Sequence, residues 1–522
     1  MKKINLLLIG YPELKNYFSK DFNIIIPDLK KKYFISDICK KHKIDVIFQV
    51  ENLSKREIII DINEQHCLKI FWAIDIHLNF YWQKYYFENF DIILTTQKNF
   101  LNRYNGKIFW LPWGIHDEFI CKEFIPFKRR KFDISFVGLI DRNRVKRKQI
   151  IDLISSHFNI FLAGTNLEKR LPLSDMLDIY KNSKIVINES ILRDVNFRYF
   201  EVTSQGALLY SEKINNGEDE LFEDKKEVLY YSQLNIITRL KYYLKNQEKL
   251  EKIAYNGWLK TKKYHKLSDR VKEVEKIILK NLNNSSKKTK SIDYPLIFTY
   301  LRGIGEPEYK KIFFENCKDE TLKVLFSKCF DEDFFNKISN KYETDPLIKL
   351  NKISFNLESI VKFLNKNFNK LPDYYTGYLN LICKNKIFLS IYEVIDSYFE
   401  KFPDKAIKHK SLNYIGGKIL FKNENYQGAI RHFLNLIREF PEKILYRKYL
   451  ATCYFKIFNL ELFKREVLKI YLLDKKFEDF KKFKINSQIK KEILFEIMNE
   501  INNKKLIRDI IFNLSDFYES NT

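Results

Sequence analysis

The chain has 522 residues, of which 45% are hydrophobic and 16% aromatic, with only 14 Gly and 11 Pro. A chain of that make-up can bury several cores, which excludes wholesale disorder and leads us to expect about three or four domains of ordinary size. The net charge of +25 is mostly Lys scattered over the whole length, which reads as solvated faces and not as a nucleic-acid patch, although it is compatible with peripheral association with anionic membranes.

The opening Met1-Lys2-Lys3 precedes an apolar run, 4–9, that is too short for the core of a signal peptide and continues as a strand pattern. No stretch approaches the ~20 apolar residues needed to span a bilayer. Cys39, Cys67, Cys121, Cys317, Cys329, Cys383 and Cys453 stand singly, without CxxC pairs. Free thiols in a reducing compartment fit this better than disulfides or zinc, so a cytoplasmic protein is expected.

Residues 1–127 alternate short apolar runs with polar, helix-capable stretches. The runs are 4–9, 24–26, 46–50, 58–62, 70–74, 92–95 and 108–111. Continuous hydrophobicity implies strands covered on both faces, hence a parallel sheet. Gly10 ends the first run, but no GxGxxG follows, so a dinucleotide fingerprint is absent. Asp75-Ile76-His77, followed by Phe80-Tyr81-Trp82, falls at a strand's carboxyl end. Asp75 and His77 there are candidates for a base; a turn-capping Asp and a satisfied His are the plainer alternative. Trp113-Gly114 suits a tight turn at a domain boundary, with His116 more in keeping with a structural role.

Residues 128–283 repeat the α/β pattern, with runs at 133–137, 159–162, 185–187, 207–210 and 228–231. Gly138 ends the first, ahead of the basic stretch Asp141-Arg142-Asn143-Arg144-Val145-Lys146-Arg147-Lys148. Basic side chains over a helix N-terminus after a strand would hold a diphosphate, although a charge run is ordinarily a solvated face. Gly164 ends the next run and leaves room for a flat base. The stretch 188–206 organises this half: Asn188 closes a strand, Asn196 is placed to cap a helix, and Gly206 ends it. Arg198 and Glu201 are three apart, on one helix face. They make either an exposed ion pair or a ligand site at the carboxyl end of a strand.

These pieces, in order, resemble the C-terminal half of the CgeB-like glycosyltransferases, within the group with the GT-B fold. The resemblance runs over 133–275. It rests on Asp133-Ile134-Ser135-Phe136-Val137-Gly138, Arg147, Ala163-Gly164 and Tyr180-Lys181-Asn182-Ser183-Lys184-Ile185-Val186-Ile187-Asn188. It continues with Phe197-Arg198-Tyr199-Phe200-Glu201, Gly206, Glu227-Val228-Leu229-Tyr230-Tyr231, Asn256-Gly257, His265-Lys266-Leu267 and Arg270. Residues 1–127 match more loosely, through Asp75-Ile76-His77 and Leu111-Pro112. The resemblance implies that Glu201 accepts hydrogen bonds from the ribose of a nucleotide-sugar, and that Arg198 and the loop Arg142 to Arg147 face its diphosphate. Cations fixed there stabilise the leaving group without a metal, so no metal or other cofactor is expected. Retaining members of the wider group carry two glutamates eight positions apart; here Arg193 stands eight before Glu201 and Glu189 is out of register. The stereochemical outcome is left open.

Residues 284–292 have linker composition. Beyond them the pattern is helical. Glu400-Lys401-Phe402-Pro403-Asp404-Lys405 recurs as Arg438-Glu439-Phe440-Pro441-Glu442-Lys443. Gly417, Ala429, Phe433 and Pro441 fall at the spacing of a tetratricopeptide repeat, and Ala451 and Tyr454 begin another.

The expected protein is thus α/β plus all-α. A GT-B-like pair of Rossmann-like domains (1–127 on the acceptor side, 128–283 on the nucleotide-sugar side) precedes a linker (284–292) and a tetratricopeptide-like domain (293–522). The expected function is metal-independent transfer of a sugar from a nucleotide-sugar to an acceptor hydroxyl on a protein or cell-surface glycan, the repeats holding the acceptor. Asp75 and His77 are the catalytic candidates. Gly138, Arg142, Arg147, Gly164, Asn188, Asn196, Arg198 and Glu201 are the donor-binding ones. The alternative is a non-catalytic GT-B-like platform whose repeats bind a protein partner.

Overall fold

A computed structural model describes residues 3–28, 34–52, 59, 61–140, 144–166, 168, 170–232, 235–282, 324, 332–343, 352, 404, 407–422 and 425–473. They belong to two compact units. One draws on 1–141, 153–230 and 240–403, the other on 142–152, 231–239 and 404–522. The expected linker, 284–292, lies outside the described residues.

The first unit contains two sheets. The first sheet comprises β1 (Ile4–Ile9), β2 (Phe22–Ile25), β3 (Val46–Val50), β4 (Leu68–Ala73), β5 (Ile92–Thr95) and β6 (Ile108–Trp110), in the order β2-β1-β3-β4-β5-β6. Every pairing is parallel. The central strands β3 and β4 are buried at every residue, as continuous apolar runs require. The polar exceptions are Gln49, whose Oε1 accepts from the Tyr86 hydroxyl at 2.8 Å, and Lys69, whose stem is buried and whose Nζ donates to the Gln65 carbonyl at 2.8 Å.

Of the apolar run at 58–62, residues 58 and 60 lie outside the described residues, and 59, 61 and 62 do not form the strand expected. Asp61 is a buried loop carboxylate that accepts from the N–H groups of Ile35 and Ser36 ahead of α1 (Ser36–His42), and Ile62 opens a short 3-10 turn. Ile59 is a core plug instead, its N–H bound by the Tyr86 hydroxyl at 3.0 Å. Hydrophobicity reported burial here, not strand pairing.

The second sheet comprises β7 (Phe132–Val137), β8 (Phe161–Ala163), β9 (Ser183–Asn188), β10 (Leu208–Glu212) and β11 (Leu229–Tyr231), in the order β11-β10-β9-β7-β8. The pairings of β7, β8, β9 and β10 are parallel. Two Rossmann-like parallel sheets with helices therefore follow one another, in keeping with the GT-B expectation. Helix α4 (Leu173–Lys181) leads into β9, and α5 (Arg198–Ser204) joins β9 to β10. The inner face of α5, through Tyr199, Phe200, Val202 and Thr203, is fully buried. Ser211 Oγ donates to the Tyr199 hydroxyl, and Thr261 Oγ1, on α8 (Gln247–Tyr264), bonds Thr203 Oγ1 at 2.7 Å. Near the end of the α/β part, Ile115 bridges to Lys266, and Arg270, on α9 (Leu267–Asn281), donates to the Trp113 carbonyl at 3.1 Å.

In the second unit the helices Lys410–Lys422, Tyr426–Glu439, Ile444–Lys456 and Leu460–Leu473 pack each on the next. Small residues set the spacing: a Cβ at Gly417 would stand 3.0 Å from the Phe433 ring, and Ala429 and Ala451 are fully buried. Asn425 caps the second helix by accepting from the Gly428 N–H at 3.0 Å. Arg447 and Glu466 form a buried ion pair at 2.8 Å between the last two helices.

Candidate active site at the carboxyl ends of two sheets

An open parallel sheet offers a ligand crevice where its strand order reverses, outside the carboxyl ends. In the second sheet that point lies between β7 and β9, whose last residues are Val137 and Asn188. Arg198, in the first turn of α5, spans it. Its Nη2 donates to the Val137 carbonyl at 2.6 Å, its Nη1 to Asn188 Oδ1 at 3.0 Å, and its Nε to the Tyr180 hydroxyl at 3.2 Å. The guanidinium lies 5.1 Å from the centre of the Phe136 ring. Burial opposes the charge, but Tyr180, then Glu201 and Glu189, outweigh it and raise the Arg198 pKa. Among the described residues, three of the five guanidinium N–H groups are thus committed, leaving one on Nη1 and one on Nη2. Gly138 makes this possible. Its φ is +146°, and a Cβ there would come within 3.0 Å of Arg198 Nη2.

Glu201 follows one turn later and differs. It is partly buried, yet its carboxylate makes no hydrogen bond among the described residues. Burial pushes its pKa up to about 7, against the opposing pull of Arg198. Such a carboxylate has its acceptor capacity unspent, so the pair is not the solvated ion pair that spacing alone allowed.

The Asn residues support this floor. Asn188 is fully buried, donates to Ser211 Oγ at 3.0 Å, and accepts from Arg198 and from Asn196 Nδ2. The expected side-chain cap by Asn196 is not formed. Phe197, in helical conformation, occupies the N-cap position, so the Asn196 amide faces the strand end and reaches Asn188 and the Glu189 carbonyl instead. Gly164 ends β8 in a left-handed turn, next to the Ala163 carbonyl that accepts from the Gly138 N–H at 3.0 Å. Gly206 closes α5 with φ +68°, as expected. Arg147 is buried within α3 (Val145–Ser155), a segment of the other compact unit, and Arg142 lies outside the described residues.

In the first sheet the order reverses between β1 and β3. Glu51, the residue after β3, is buried there. Its carboxylate accepts from the N–H groups of Ile74 and Asp75 and from Asn79 Nδ2, each at 2.8 Å. It thereby fixes the turn from β4 into α2 (Ile76–Tyr86). Asp75 is half-buried in this turn, and its carbonyl accepts from Leu78 and Asn79, so its main chain has the capping role. His77 is in the first turn of α2. Its side chain is 5% exposed, Nε2 lies 4.0 Å from Asp194 Oδ2, and Nδ1 is buried without a partner among the described residues. Burial lowers its pKa more than Asp194 and Glu51 raise it, so the imidazole is neutral at neutral pH. Asp194 belongs to the loop ahead of α5; the structure therefore brings the catalytic candidate His77 next to the donor-side segment. His116 is a brace, its two ring nitrogens held by Tyr11 at 2.8 Å and Tyr17 at 3.0 Å.

Glu51 and Asp194 carry no motif, and Tyr180 stood in the sequence only as the start of the run that leads into β9. The Glu51 contacts with the turn after β4 and the Tyr180 contact with Arg198 lie 18 or more residues away along the chain.

Residues 142–276 match the model of a family described as "Glycosyl transferase-like". The chain carries a glycosyltransferase domain. Asn188, Asn196, Arg198 and Glu201 all lie inside this domain. Solved structures similar to the chain include a glycosyltransferase from Rickettsia africae (13% identity, TM-score 0.39, covering 55% of this chain and 100% of that one). Another is a sucrose-phosphate synthase from Thermosynechococcus elongatus (10%, TM-score 0.39, 55% and 100%). A third is Anabaena HepE in complex with UDP (10%, TM-score 0.40, 54% and 100%). No curated protein matches the chain significantly. Among the described residues, no helix is long and apolar enough to cross a membrane.

Proposed function

We propose that the chain is a metal-independent, CgeB-like glycosyltransferase that moves a sugar from a nucleotide-sugar to an acceptor hydroxyl. The observation that carries this reading is the unspent, partly buried carboxylate of Glu201, one turn from a guanidinium that bridges the strand-order reversal. An ionised carboxylate accepts from both hydroxyls of a ribose. The two N–H groups left on Arg198 face the diphosphate and stabilise the charge that grows on it as it leaves. Gly138 and Gly164 let the donor approach the backbone, and Asn188 and Asn196 hold the floor beneath it.

Asp75 and His77 stand on the acceptor side; Asp75 is the base that takes the proton of the attacking hydroxyl, and the neutral His77 is the other group able to receive it. Attack on the anomeric carbon forms the new glycosidic C–O bond as the bond to the diphosphate breaks. The helices of the second unit form a tetratricopeptide-like domain that holds a protein or glycan acceptor. The free thiols of Cys39, Cys67, Cys121 and Cys453 suit the cytoplasm, and the Lys surplus suits contact with an anionic membrane surface.

The test is a screen of nucleotide-sugars for hydrolysis by the purified chain, repeated with Glu201→Ala. Turnover of one donor, abolished by the substitution, supports the transferase. No turnover and no nucleotide binding, alongside tight protein binding through the repeats, would mean a non-catalytic platform.

A further inference from the structure

The segment between β9 and α5 is strained and is held from outside. Leu192 (φ +49°) and Arg193 (φ +62°) are consecutive non-glycine residues in left-handed backbone, a conformation that L side chains resist. Within the loop, Asp194 Oδ1 accepts from Ser190 Oγ at 2.9 Å and from the Ile191 N–H at 2.6 Å. Other restraints come from elsewhere. Gln97, after β5 in the first sheet, is 2% exposed. Its Oε1 accepts from the Val195 N–H at 2.8 Å and from Asn216 Nδ2 at 2.9 Å. Asn216, after β10, also donates to the Arg193 carbonyl at 2.7 Å and accepts from the Asn99 N–H at 2.7 Å. One amide of the first sheet thus grips the strained loop both directly and through Asn216.

We propose that Gln97 is a positioning residue for the donor site. It holds the loop 191–195 in its left-handed form and so fixes where α5 begins, which sets Arg198 and Glu201 against the ends of β7 and β9. This inference rests on the donor role of Glu201 proposed above. No feature of its own neighbourhood marks Gln97 as functional; it reaches the site only across 98 residues of sequence. Through it, the first sheet's arrangement is felt at the second sheet's ligand site.

The test is calorimetric titration of the full chain with uridine diphosphate and guanosine diphosphate, with melting temperatures measured in parallel. Gln97→Ala should weaken the nucleotide that binds by about tenfold or more. Gln97→Glu keeps the acceptor to Val195 and Asn216 but replaces the amide donor to Thr96 Oγ1 by a buried negative charge, so it should fall between wild type and Gln97→Ala in affinity while melting earlier than wild type. A stability control is Val46→Ala, at the amino end of β3, which should lower the melting temperature without moving the affinity. A purely structural role for Gln97 predicts that all three variants melt early and bind alike, and that result overturns the proposal. If Glu201→Ala abolishes binding while Gln97→Ala leaves it unchanged, the positioning role alone is lost. If Glu201→Ala binds as well as wild type, the donor reading itself has failed.

Discussion

The two sheets share an architecture but treat their strand-order reversals in opposite ways. In the first, the gap between β1 and β3 is closed by the chain itself. A Cβ on Gly10 would fall 1.9 Å from the Val50 carbonyl, Asn52 donates to the Gly10 carbonyl at 2.6 Å, and Glu51 is fully used by Ile74, Asp75 and Asn79. In the second, Arg198 builds a floor across β7 and β9, and the Glu201 carboxylate makes no hydrogen bond among the described residues, feeling only the charge of Arg198. A buried carboxylate that satisfies backbone donors stabilises the fold; one that is desolvated and unsatisfied destabilises it and is kept for something that binds. The same side chain, at the same kind of place, is structural in one sheet and, in the function proposed here, a ligand group in the other.

This contrast can be broken by substitution. The largest effect expected is on binding: Glu201→Ala should cost at least about a hundredfold in nucleotide-sugar affinity, the loss of charge-assisted hydrogen bonds to two hydroxyls. Calorimetry measures it, and the melting temperature should stay level or rise. Glu51→Ala should do the reverse. It strands three donors in a buried turn and should cost about 3 kcal/mol of stability by chemical denaturation, with the donor affinity of the folded fraction little changed.

Smaller, and opposite in sign to most substitutions, is Glu201→Gln. The Glu201 pKa is raised in the folded state, so the native protein holds its proton more firmly than the unfolded chain. Stability from this group is therefore greatest below the ordinary carboxylate range and declines as pH rises toward about 7. Above that, Glu201→Gln should stabilise the fold by about 1–3 kcal/mol relative to wild type while binding donor poorly. Equal stability of the two at about pH 8 would show that the carboxylate carries no burial cost. The smallest effect is at Gly138. Gly138→Ala meets Arg198 Nη2 and a φ of +146°, and should cost about 1–2 kcal/mol, with a several-fold loss of donor affinity as Arg198 shifts.

Much of this was legible in the sequence because parallel strands are apolar throughout. The runs at 4–9, 46–50 and 92–95 became β1, β3 and β5 without change. The same rule misled at Ile59 and Ile62, whose side chains are buried from a loop organised by Asp61 and not from a strand. The Arg198–Glu201 pair could be read from its spacing and from the strand before it, but not the division of labour between the two side chains. That depends on the Val137 carbonyl, on Tyr180 and on Asn188, which only the assembled sheet brings together. Asn196 has the right chemistry for a cap and lies one residue too early to make one. Glu51 and Gln97 left no local signal, since each acts on backbone groups more than twenty positions away.

The central claim is that an ionised Glu201 is the donor's ligand. The most direct measurement is the pH dependence of the dissociation constant for a nucleotide-sugar, whose diphosphate diester does not titrate near neutrality. Affinity should be level above about pH 7 and fall by about tenfold by pH 6 as Glu201 takes up its proton, and the break should vanish in Glu201→Gln. A wild-type profile that is flat across this range, or one that keeps its break in Glu201→Gln, would contradict the account.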